Sequence, residues 1–376
     1  MHRSSRASRL ALACAALTLG TAFAPPGAGT GDGEPSAVFV QNNGADGNEI
    51  VAYARAYDGT LTRRGVHPTG GDGAALDGAV ADDLASQGSL THDPGHGLLY
   101  AVNAGSDTLT VFRVHGTRLE RLQVISSGGD FPVSVTAHGD HVYVLNALGG
   151  GSIQGFAYAS GRLTALPRTH RDLGLDPAAA PQFLNTPGQI GFTPDGSGLL
   201  VTTKANGDRV LHYRIDAYGR PAARPVVTEL PDAVPFGFTF DRGGRLVLAE
   251  AGPEAVAVFD ITPDGGLRRV SERATGGTAT CWVARSGHLF YASSAGSDTV
   301  GVLRGERSGN LELRATTPTE AGPVDAAASA DGRHLYVQTG VASTVEAFAI
   351  GRDGSLTRVG SVPVPGGDGG EGIAVV

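Results

Sequence analysis

Short runs of alternating apolar and polar residues, separated by tight turns, dominate this sequence. The clearest example is residues 98–114, where LLYAVN and TLTVFRV flank a turn at 104–107. A period of two residues is typical of half-buried strands, and small or polar residues that bond their own backbone favour the turn between them. The stretch therefore predicts an antiparallel pair of strands. We find no convincing amphipathic helix along the chain.

The apolar strand of this pair recurs along the chain at intervals of about 44 residues, with two longer intervals. Its copies run from AVFVQNN at residue 37 to HLYVQT at residue 334. An apolar strand and a turn come before each copy except the first, and a turn, an alternating strand and a polar strand come after it. Four short strands repeated at this length are typical of a propeller blade. The sequence predicts an all-β, seven-bladed β-propeller with four antiparallel strands per blade.

The two ends of the repeat region complete the predicted ring. The first repeat begins directly with its second strand, and GIAVV at 372–376 forms an isolated apolar strand. We expect this C-terminal strand to join the first blade as its inner strand, because closing the ring removes an exposed sheet edge. The prediction assigns residues 36–376 to the propeller.

The N-terminal residues have the composition of a targeting segment. Arg3, Arg6 and Arg9 precede an apolar stretch at 10–23 that is too short to span a bilayer comfortably. This pattern predicts a secretory signal peptide over residues 1–24 and a flexible, Gly/Pro-rich lead-in over residues 25–35. We therefore expect a secreted, extracellular protein with no membrane anchor.

The net charge limits the partners that the protein can bind, and the cysteine count limits its disulfides. The formal net charge is −8, and loss of the arginines in the leader would make it more negative. Nucleic acids and anionic membranes both select for positive charge, so we expect neither as a partner. Cys281 would be the one cysteine left in the mature chain, so we predict no disulfide. We expect a monomer without a cofactor or a metal.

Two long insertions, at 67–85 and 168–186, interrupt the regular repeat. Strand alternation places both on the face that also carries the turns between second and third strands, which we call the top face. Loops on a rigid scaffold often carry function, and tolerated surface insertions are the alternative. His170 lies in the second insertion and is the histidine we nominate for a site on this face.

Polar residues end the otherwise apolar second strands, next to the top turns. They are Asn42, Asn103, Asn146, Lys204, Glu250, Ser294 and Thr339. Lys204 is the sole lysine, and Glu250 lies in the next blade. A desolvated lysine beside a carboxylate can do acid–base chemistry or hold an anionic ligand. The alternative is that these side chains cap turns and that Lys204 and Glu250 merely pair.

Two further features have a structural and a functional interpretation. Acidic loops at 46–49, 72–83 and 368–371 contain ligand types that suit Ca²⁺, but their spacing does not match an EF-hand, which favours solvated loops. Cys281 and Trp282 follow each other on a predicted inner strand. We expect them to be core residues rather than a reactive thiol and a stacking platform.

Several turns and strand ends carry a family resemblance. They are FTPDG at 192–196, GDRV at 207–210, Glu250 before Ala-Gly, and the segments starting at Asp216, Asp264 and Asp353. With seven blades of this pattern, the chain resembles the lactonase-like seven-bladed propellers. That family includes bacterial 6-phosphogluconolactonase and the fungal carboxymuconate lactonising enzyme. The resemblance covers essentially the whole mature chain.

The resemblance implies a hydrolase or cyclase that acts on a small acidic lactone at the top of the channel. Arg209 and Lys204 would hold the anion, Glu250 would act as base, and His170 or Lys204 would replace groups that the chain lacks. Asn103, Asn146 and Gln189 are predicted to contact the ligand.

The chain departs from the family pattern at two places. The histidine-bearing element before FTPDG reads TPGQ at 186–189, and the Arg-His pair entering blade five reads FG at 236–237. Two hypotheses therefore stay open. The first is a lactonase-like enzyme with a degenerate site for a small anionic substrate. The second is a non-catalytic extracellular propeller that binds a partner, or acts as a scaffold, through its top-face loops.

Overall fold

The computed structural model describes residues 36–376, and the predicted signal peptide and lead-in lie outside these residues. Blade one contains β1 (Ala37–Gln41), β2 (Glu49–Arg55), β3 (Leu61–Pro68) and the C-terminal β29 (Ile373–Val375). Blade two contains β4 (Leu90–Asp93), β5 (Leu98–Asn103), β6 (Thr108–His115) and β7 (Arg118–Ser126). Blade three contains β8 (Pro132–His138), β9 (His141–Asn146), β10 (Ser152–Ala159) and β11 (Arg162–Ala165), and the short β12 (Arg171–Asp172) pairs with β10.

The remaining blades follow the same order. Blade four contains β13 (Ile190–Phe192), β14 (Gly198–Thr202), β15 (Arg209–Arg214) and β16 (Val226–Glu229). Blade five contains β17 (Pro235–Phe240), β18 (Leu246–Glu250), β19 (Ala255–Ile261) and β20 (Leu267–Ala274). Blade six contains β21 (Thr280–Ser286), β22 (Leu289–Ser294), β23 (Thr299–Gly305) and β24 (Leu311–Pro318). Blade seven contains β25 (Pro323–Ala328), β26 (His334–Thr339), β27 (Thr344–Ile350) and β28 (Leu356–Pro363).

The ring closes through the C-terminal strand, as predicted. β29 pairs antiparallel with β1, with Phe39 opposite Ala374. The backbone N–H of Ala37 also donates to the carbonyl of Val376 at 3.1 Å. Both ends of the ring are therefore held in one sheet, and the prediction of an all-β seven-bladed propeller is confirmed.

Short helices are the main departure from the strand pattern. The second insertion contains α1 (Gln182–Asn185), and a 3₁₀ turn, η1 (Ala104–Ser106), follows β5. Neither is long enough to show an amphipathic period. No helix among the described residues has the length and apolar character needed to cross a membrane.

Acidic residues tie the top turns to the crossing that follows each blade. Each has a positive φ, which is uncommon for residues other than glycine, and each accepts a backbone N–H at 2.8 Å. These residues are Asp107, Asp208, Glu254 and Asp298. The donors belong to Phe131, Val234, Ala279 and Gly322. Part of the acidity of the top face is therefore structural, because these carboxylates replace missing backbone partners in the loops.

An aromatic ring at the third position of the second strand fills the space between neighbouring blades. The hydroxyl of Tyr143 donates to the carbonyl of Gly219 at 2.6 Å, and Tyr336 reaches Gly59 at 3.0 Å. Each bond joins one blade to the outer turn of the next. Val201 and Val247 occupy this position in blades four and five, so the contact between blades differs there.

Candidate functional site

The segment 82–89, at the end of the first insertion, lies on the propeller axis. Gln87 belongs to blade two, yet its backbone N–H donates to Gly188 of blade four at 3.0 Å. Its side-chain amide makes two bonds with the backbone of Val283 in blade six, at 3.0 and 3.1 Å. A side chain that reaches from blade two to blade six must cross the central channel. The channel is therefore closed at this level by the chain itself.

Trp282 closes the same level from the opposite side. Its indole N–H donates to the carbonyl of Ser86 at 2.6 Å, and its ring packs edge-on against Phe236 with centroids 5.2 Å apart. The Ser86 hydroxyl donates to Val133 of blade three at 2.8 Å. Trp282 is buried in the largest apolar cluster, and Cys281 is partly buried against it. Both are packed in the interior, and burial raises the pKa of the Cys281 thiol to about 12.

Lys204 lies above this level and holds the two insertions together. Its Nζ donates at 2.6 Å to the carbonyl of Ala85, in the first insertion, and at 2.6 Å to that of Phe183, in α1 of the second. A third bond reaches the Thr186 hydroxyl at 3.2 Å, and the Phe236 ring lies 5.1 Å from Nζ. The ammonium group donates three hydrogen bonds at most. All of them have acceptors from the protein.

Asp82 is the anionic neighbour of Lys204. Its carboxylate accepts the backbone N–H groups of Leu84 at 2.8 Å and Ser86 at 2.9 Å, which shapes the turn that enters the channel. Burial raises the pKa of Asp82 and lowers that of Lys204, and the attraction between the two opposes both shifts. Both groups are therefore buried away from water, and the charged form of each is stabilised by the opposite charge of the other.

Glu371 and Asp325 form a second buried pair at the channel mouth. Their carboxyl groups are close enough to influence each other, and Glu371 accepts the backbone N–H of Gly88 at 3.0 Å. Burial raises the pKa of both carboxyls, and their mutual repulsion raises that of Glu371 further. Two carboxyl groups that are buried next to each other rarely ionise together, so the pair is expected to keep one proton.

The buried acids correct part of the sequence interpretation. Asp82 and Glu371 belong to acidic loops that we expected to be solvated, and both are buried. The rest of these loops agrees with the expectation, since Asp72, Asp77 and Asp368 are exposed. Only the three-dimensional path of the first insertion distinguishes the two groups. Sequence reasoning also missed Asp325, on β25, and Gln87, in the segment before β4, because no polar pattern around either residue singles it out.

Glu250 pairs with Arg269 rather than with Lys204. The guanidinium contacts both carboxylate oxygens, at 2.6 and 2.7 Å, from the outer strand β20 of the same blade. The simple interpretation that Lys204 and Glu250 pair is therefore wrong. Glu250 is fully buried, and burial raises its pKa while Arg269 opposes the shift. The cation that pairs with Glu250 therefore comes from the outer strand of its own blade.

Arg209 and His170 lie at separate places on the top rim. Arg209 pairs with Glu229 at 3.2 Å on the neighbouring outer strand. His170 pairs with Asp172 at 3.1 Å, and both side chains are exposed. No described hydrogen bond or ion pair joins Arg209, His170, Glu250 and Lys204 to one another. Each of the four is bonded to a different part of the chain.

The predicted ligand-binding amides hold neighbouring segments in place. Asn103 accepts the amide of Asn48 at 2.9 Å and donates to Thr108 and Thr110. Asn146 donates to Ser152 at 3.3 Å. Gln189 accepts the backbone N–H of Phe238 in the next blade at 2.5 Å. Asn103 and Asn146 are fully buried.

Exposed carboxylates outnumber basic groups on the top-face loops. The exposed acids are Asp46, Asp72, Asp77, Asp107, Asp130, Asp172, Asp176, Asp232, Asp298 and Asp368. Among the basic residues of this face, Arg168 is exposed, Arg171 and Arg209 are half-buried, and Lys204 is buried. The field above this face is therefore negative and repels anions.

Comparison with known proteins agrees with the fold. The sequence matches the family described as "Lactonase, 7-bladed beta-propeller" over residues 90–368. No curated protein matches the chain.

Solved structures with the same architecture are distant in sequence. The periplasmic gluconolactonase of Pseudomonas aeruginosa is 20% identical with a TM-score of 0.73, and the match covers 91% of this chain and 99% of that one. A candidate 6-phosphogluconolactonase of Bacteroides fragilis is 18% identical with a TM-score of 0.72, covering 93% of this chain and 100% of that one. A similar candidate from Bacteroides uniformis is 20% identical with a TM-score of 0.73, covering 92% and 100%. At these identities the similarity establishes the architecture.

Proposed function

Because the chain belongs to the lactonase family of seven-bladed β-propellers, we propose that it is a secreted binding protein on a lactonase scaffold, with a channel mouth that is degenerate for lactone turnover. The ammonium group of Lys204 carries this proposal, because all three of its hydrogen bonds go to oxygens of the chain itself. A group engaged in this way is not free to hold an anion or transfer a proton. Glu250 is likewise engaged by Arg269.

The charge of the top face supports a partner that is not an anion. Its loops carry exposed aspartates, and an acidic lactone approaching them would meet repulsion. A cationic extracellular partner would meet attraction instead, and this attraction would weaken as salt screens it. The proposed role is therefore recognition of a positively charged partner by the top-face loops.

A second function, hydrolysis of a lactone, is favoured by the Lys204–Asp82 pair. Burial drives the pKa of the lysine down and that of the carboxyl up, which brings both toward the range useful for general acid–base catalysis. For a substrate to reach the pair, segment 82–89 would have to leave the axis. That movement would break the bonds from Lys204 to Ala85 and from Gln87 to Val283.

A lactone panel tests the proposal against the second function. Wild type, Glu250→Gln and Lys204→Met are assayed with glucono-δ-lactone and 6-phosphogluconolactone, and acid release is followed against a protein-free control. We expect all three proteins to match the uncatalysed rate. Turnover by wild type that is lost in Lys204→Met would establish the hydrolase and contradict the binding proposal.

Binding of a lysine decapeptide tests the partner class. We expect wild type to bind it in low salt and to lose affinity as salt is added. Replacing Asp72 and Asp368 with Asn should weaken binding, while the same change at Asp264 and Asp353, exposed on the opposite face, should not. Equal weakening by both sets would mean that net charge alone is responsible, and the top-face proposal would fail.

A further inference from the structure

Residues 82–89, which close the channel mouth and which we call the channel plug, are tied to the last loop of the chain. The backbone N–H of Asp83 donates to the Gly369 carbonyl at 2.9 Å, and that of Gly88 donates to the Glu371 carboxyl at 3.0 Å. Glu371 stands two residues before β29, the strand that closes the ring. The contacts that close the mouth therefore include a carboxyl group beside the closing strand.

Three buried carboxyl groups and one buried ammonium group lie where the channel plug meets the ring. Asp82 and Asp325 are each 5% exposed, and Glu371 and Lys204 are fully buried. Glu371 is close enough to both other carboxyls to be influenced by their charges, and Asp82 faces Lys204. Full ionisation would place three negative charges against one positive charge. Uncompensated charge is strongly unfavourable in the interior, so the closed mouth requires protons on part of this cluster.

The elements packed around the channel plug do not restore the balance of charge. Asp83 and Asp368 repel each other on the outer side of the plug, and this repulsion adds to burial in raising the pKa of Asp83 to about 6. On β21, the Cys281 thiol lies near Lys204, and Glu254 also acts on it. The other titratable residues of the inner strands lie toward the opposite ends of those strands, at His92, Asp93, His138 and Arg285.

A rise in pH increases the imbalance from both sides. Burial raises the pKa of Asp325 to about 6 and that of Asp82 to about 7, and burial with repulsion raises that of Glu371 well above its usual range. Burial lowers the pKa of Lys204 to about 7. The carboxyl groups therefore lose their protons while the lysine loses its charge and one of its three N–H donors. The stabilising protonated state is present at low pH and is lost above neutrality.

We propose that the channel plug is a pH-operated latch, which closes the mouth at and below neutral pH and leaves the channel axis when the carboxyl cluster loses its protons. Opening gives the Glu371 carboxylate the water that the closed mouth excludes. Residues 82–89 belong to no strand, so the plug can move while every blade keeps its strand pairs. Its bonds to Lys204 and Val283 are polar, and water can replace them. The latch stands whether or not the mouth turns over a lactone.

Trp282 reports the position of the channel plug. It is the only tryptophan in the sequence, it is 4% exposed, and its indole N–H donates to the Ser86 carbonyl at 2.6 Å. Acrylamide quenching of its fluorescence is measured between pH 6 and pH 9, together with far-UV circular dichroism. We expect the quenching constant of wild type to rise reversibly by at least about twofold above neutral pH, with the β-sheet signal unchanged.

Two results with wild type would overturn the proposal. Constant quenching over this pH range would mean that the plug stays in place. A rise in quenching that accompanies loss of the β-sheet signal would mean that the ring unfolds as a whole and that the plug does not move by itself.

Glu371→Gln and Asp325→Asn test whether the carboxyl cluster operates the latch. Each variant removes one ionisable group at nearly constant size, and Gln still offers an oxygen to the Gly88 N–H. Each should reduce the rise in quenching by at least about half, because less charge accumulates at high pH. Glu306→Gln makes the same change at an exposed outer turn and should follow wild type. A rise of wild-type size in both buried variants would contradict the latch.

Amide exchange of wild type decides the question if neither buried variant folds. The backbone N–H groups of residues 82–89, compared at each pH with those of β21, should lose protection between pH 6 and pH 9. Protection that stays equal to that of β21 at both pH values would overturn the proposal.

Discussion

The channel mouth and the cleft between blades five and six treat charged side chains in opposite ways. At the mouth, Lys204, Asp82 and Glu371 are buried, and each bonds to atoms of the chain. The cleft is a space of about 720 Å³ on the opposite face of the ring, and Arg242 and Arg307, which line it, are exposed. A buried charge is tolerated only when the protein supplies its partners, whereas an exposed charge can exchange water for a ligand.

This difference explains why membership of a lactonase family does not by itself locate a site in this chain. The family signal lies in the blades, and the blades determine the ring. The insertions determine where the ring is closed. In this chain the mouth of the channel is closed by residues 82–89, and the cleft between blades five and six lies among outer turns on the opposite face.

The largest expected effect is at the channel mouth. Lys204→Met leaves the carbonyls of Ala85 and Phe183 without a donor and Asp82 without its cation, so we expect unfolding free energy to fall by about 3–5 kcal/mol. Guanidinium denaturation measures the loss. Arg209→Gln, which breaks an exposed pair, should cost less than about 1 kcal/mol. Similar losses in both variants would mean that Lys204 does not anchor the insertions.

Removing an aromatic ring between blades should cost less than opening the mouth. Tyr336→Val removes a buried ring and its bond to Gly59, and we expect a loss of about 2–4 kcal/mol in unfolding free energy. The same denaturation experiment measures it, and a crystal structure should show a new cavity between blades seven and one. A variant with no loss of stability would contradict the role given to this ring between blades.

Acidification should stabilise the buried carboxyl pair. The pKa values of Asp325 and Glu371 are raised by burial, so the folded protein binds protons that the unfolded chain releases between about pH 4 and neutrality. Their contribution is present at low pH and is lost as pH rises through the raised pKa values. We expect the Tm of wild type, relative to Asp325→Asn, to increase between pH 7.5 and pH 5. Parallel Tm curves for the two proteins would contradict this assignment.

The smallest effect is a loss at Val247. Val247 is fully buried, so the larger ring of Val247→Tyr overpacks the space between blades five and six, and we expect unfolding free energy to fall by about 1–3 kcal/mol. Thermal unfolding of this variant measures the loss, and Val341→Tyr, which places the same ring at an exposed position, is the control. Unchanged stability of Val247→Tyr would show that this position has room for a ring.

The sequence predicts the blades well because their signal is local and repeated. The strand that ends in Asn103, and its copies, give strand order, blade number and ring closure. The site is harder to predict because its contacts are long-range. Nothing around Gln87 indicates that its side chain reaches Val283, and nothing around Glu250 indicates that Arg269 rather than Lys204 is its partner. Both results depend on how insertions and outer strands pack after the ring has formed.

The absent tyrosine at Val247 could have been noticed from the aligned repeats. Its consequence could not, because Val201 shows the same change in blade four. There the outer-turn carbonyl of Gly265 faces His212, whose ring nitrogen lies 2.8 Å away. The fate of the space depends on the neighbouring side chains, which differ from blade to blade.

Hydrogen–deuterium exchange of residues 82–89 tests the closed channel mouth most directly. The backbone N–H groups of Leu84, Ser86, Gln87 and Gly88 are all bonded inside the ring. We expect peptides covering them to exchange as slowly as the inner strand β21, and far more slowly than the exposed loop around Asp46. Fast exchange of residues 82–89 in a folded protein would mean that the mouth opens freely, and it would contradict the proposal that the family site is sealed.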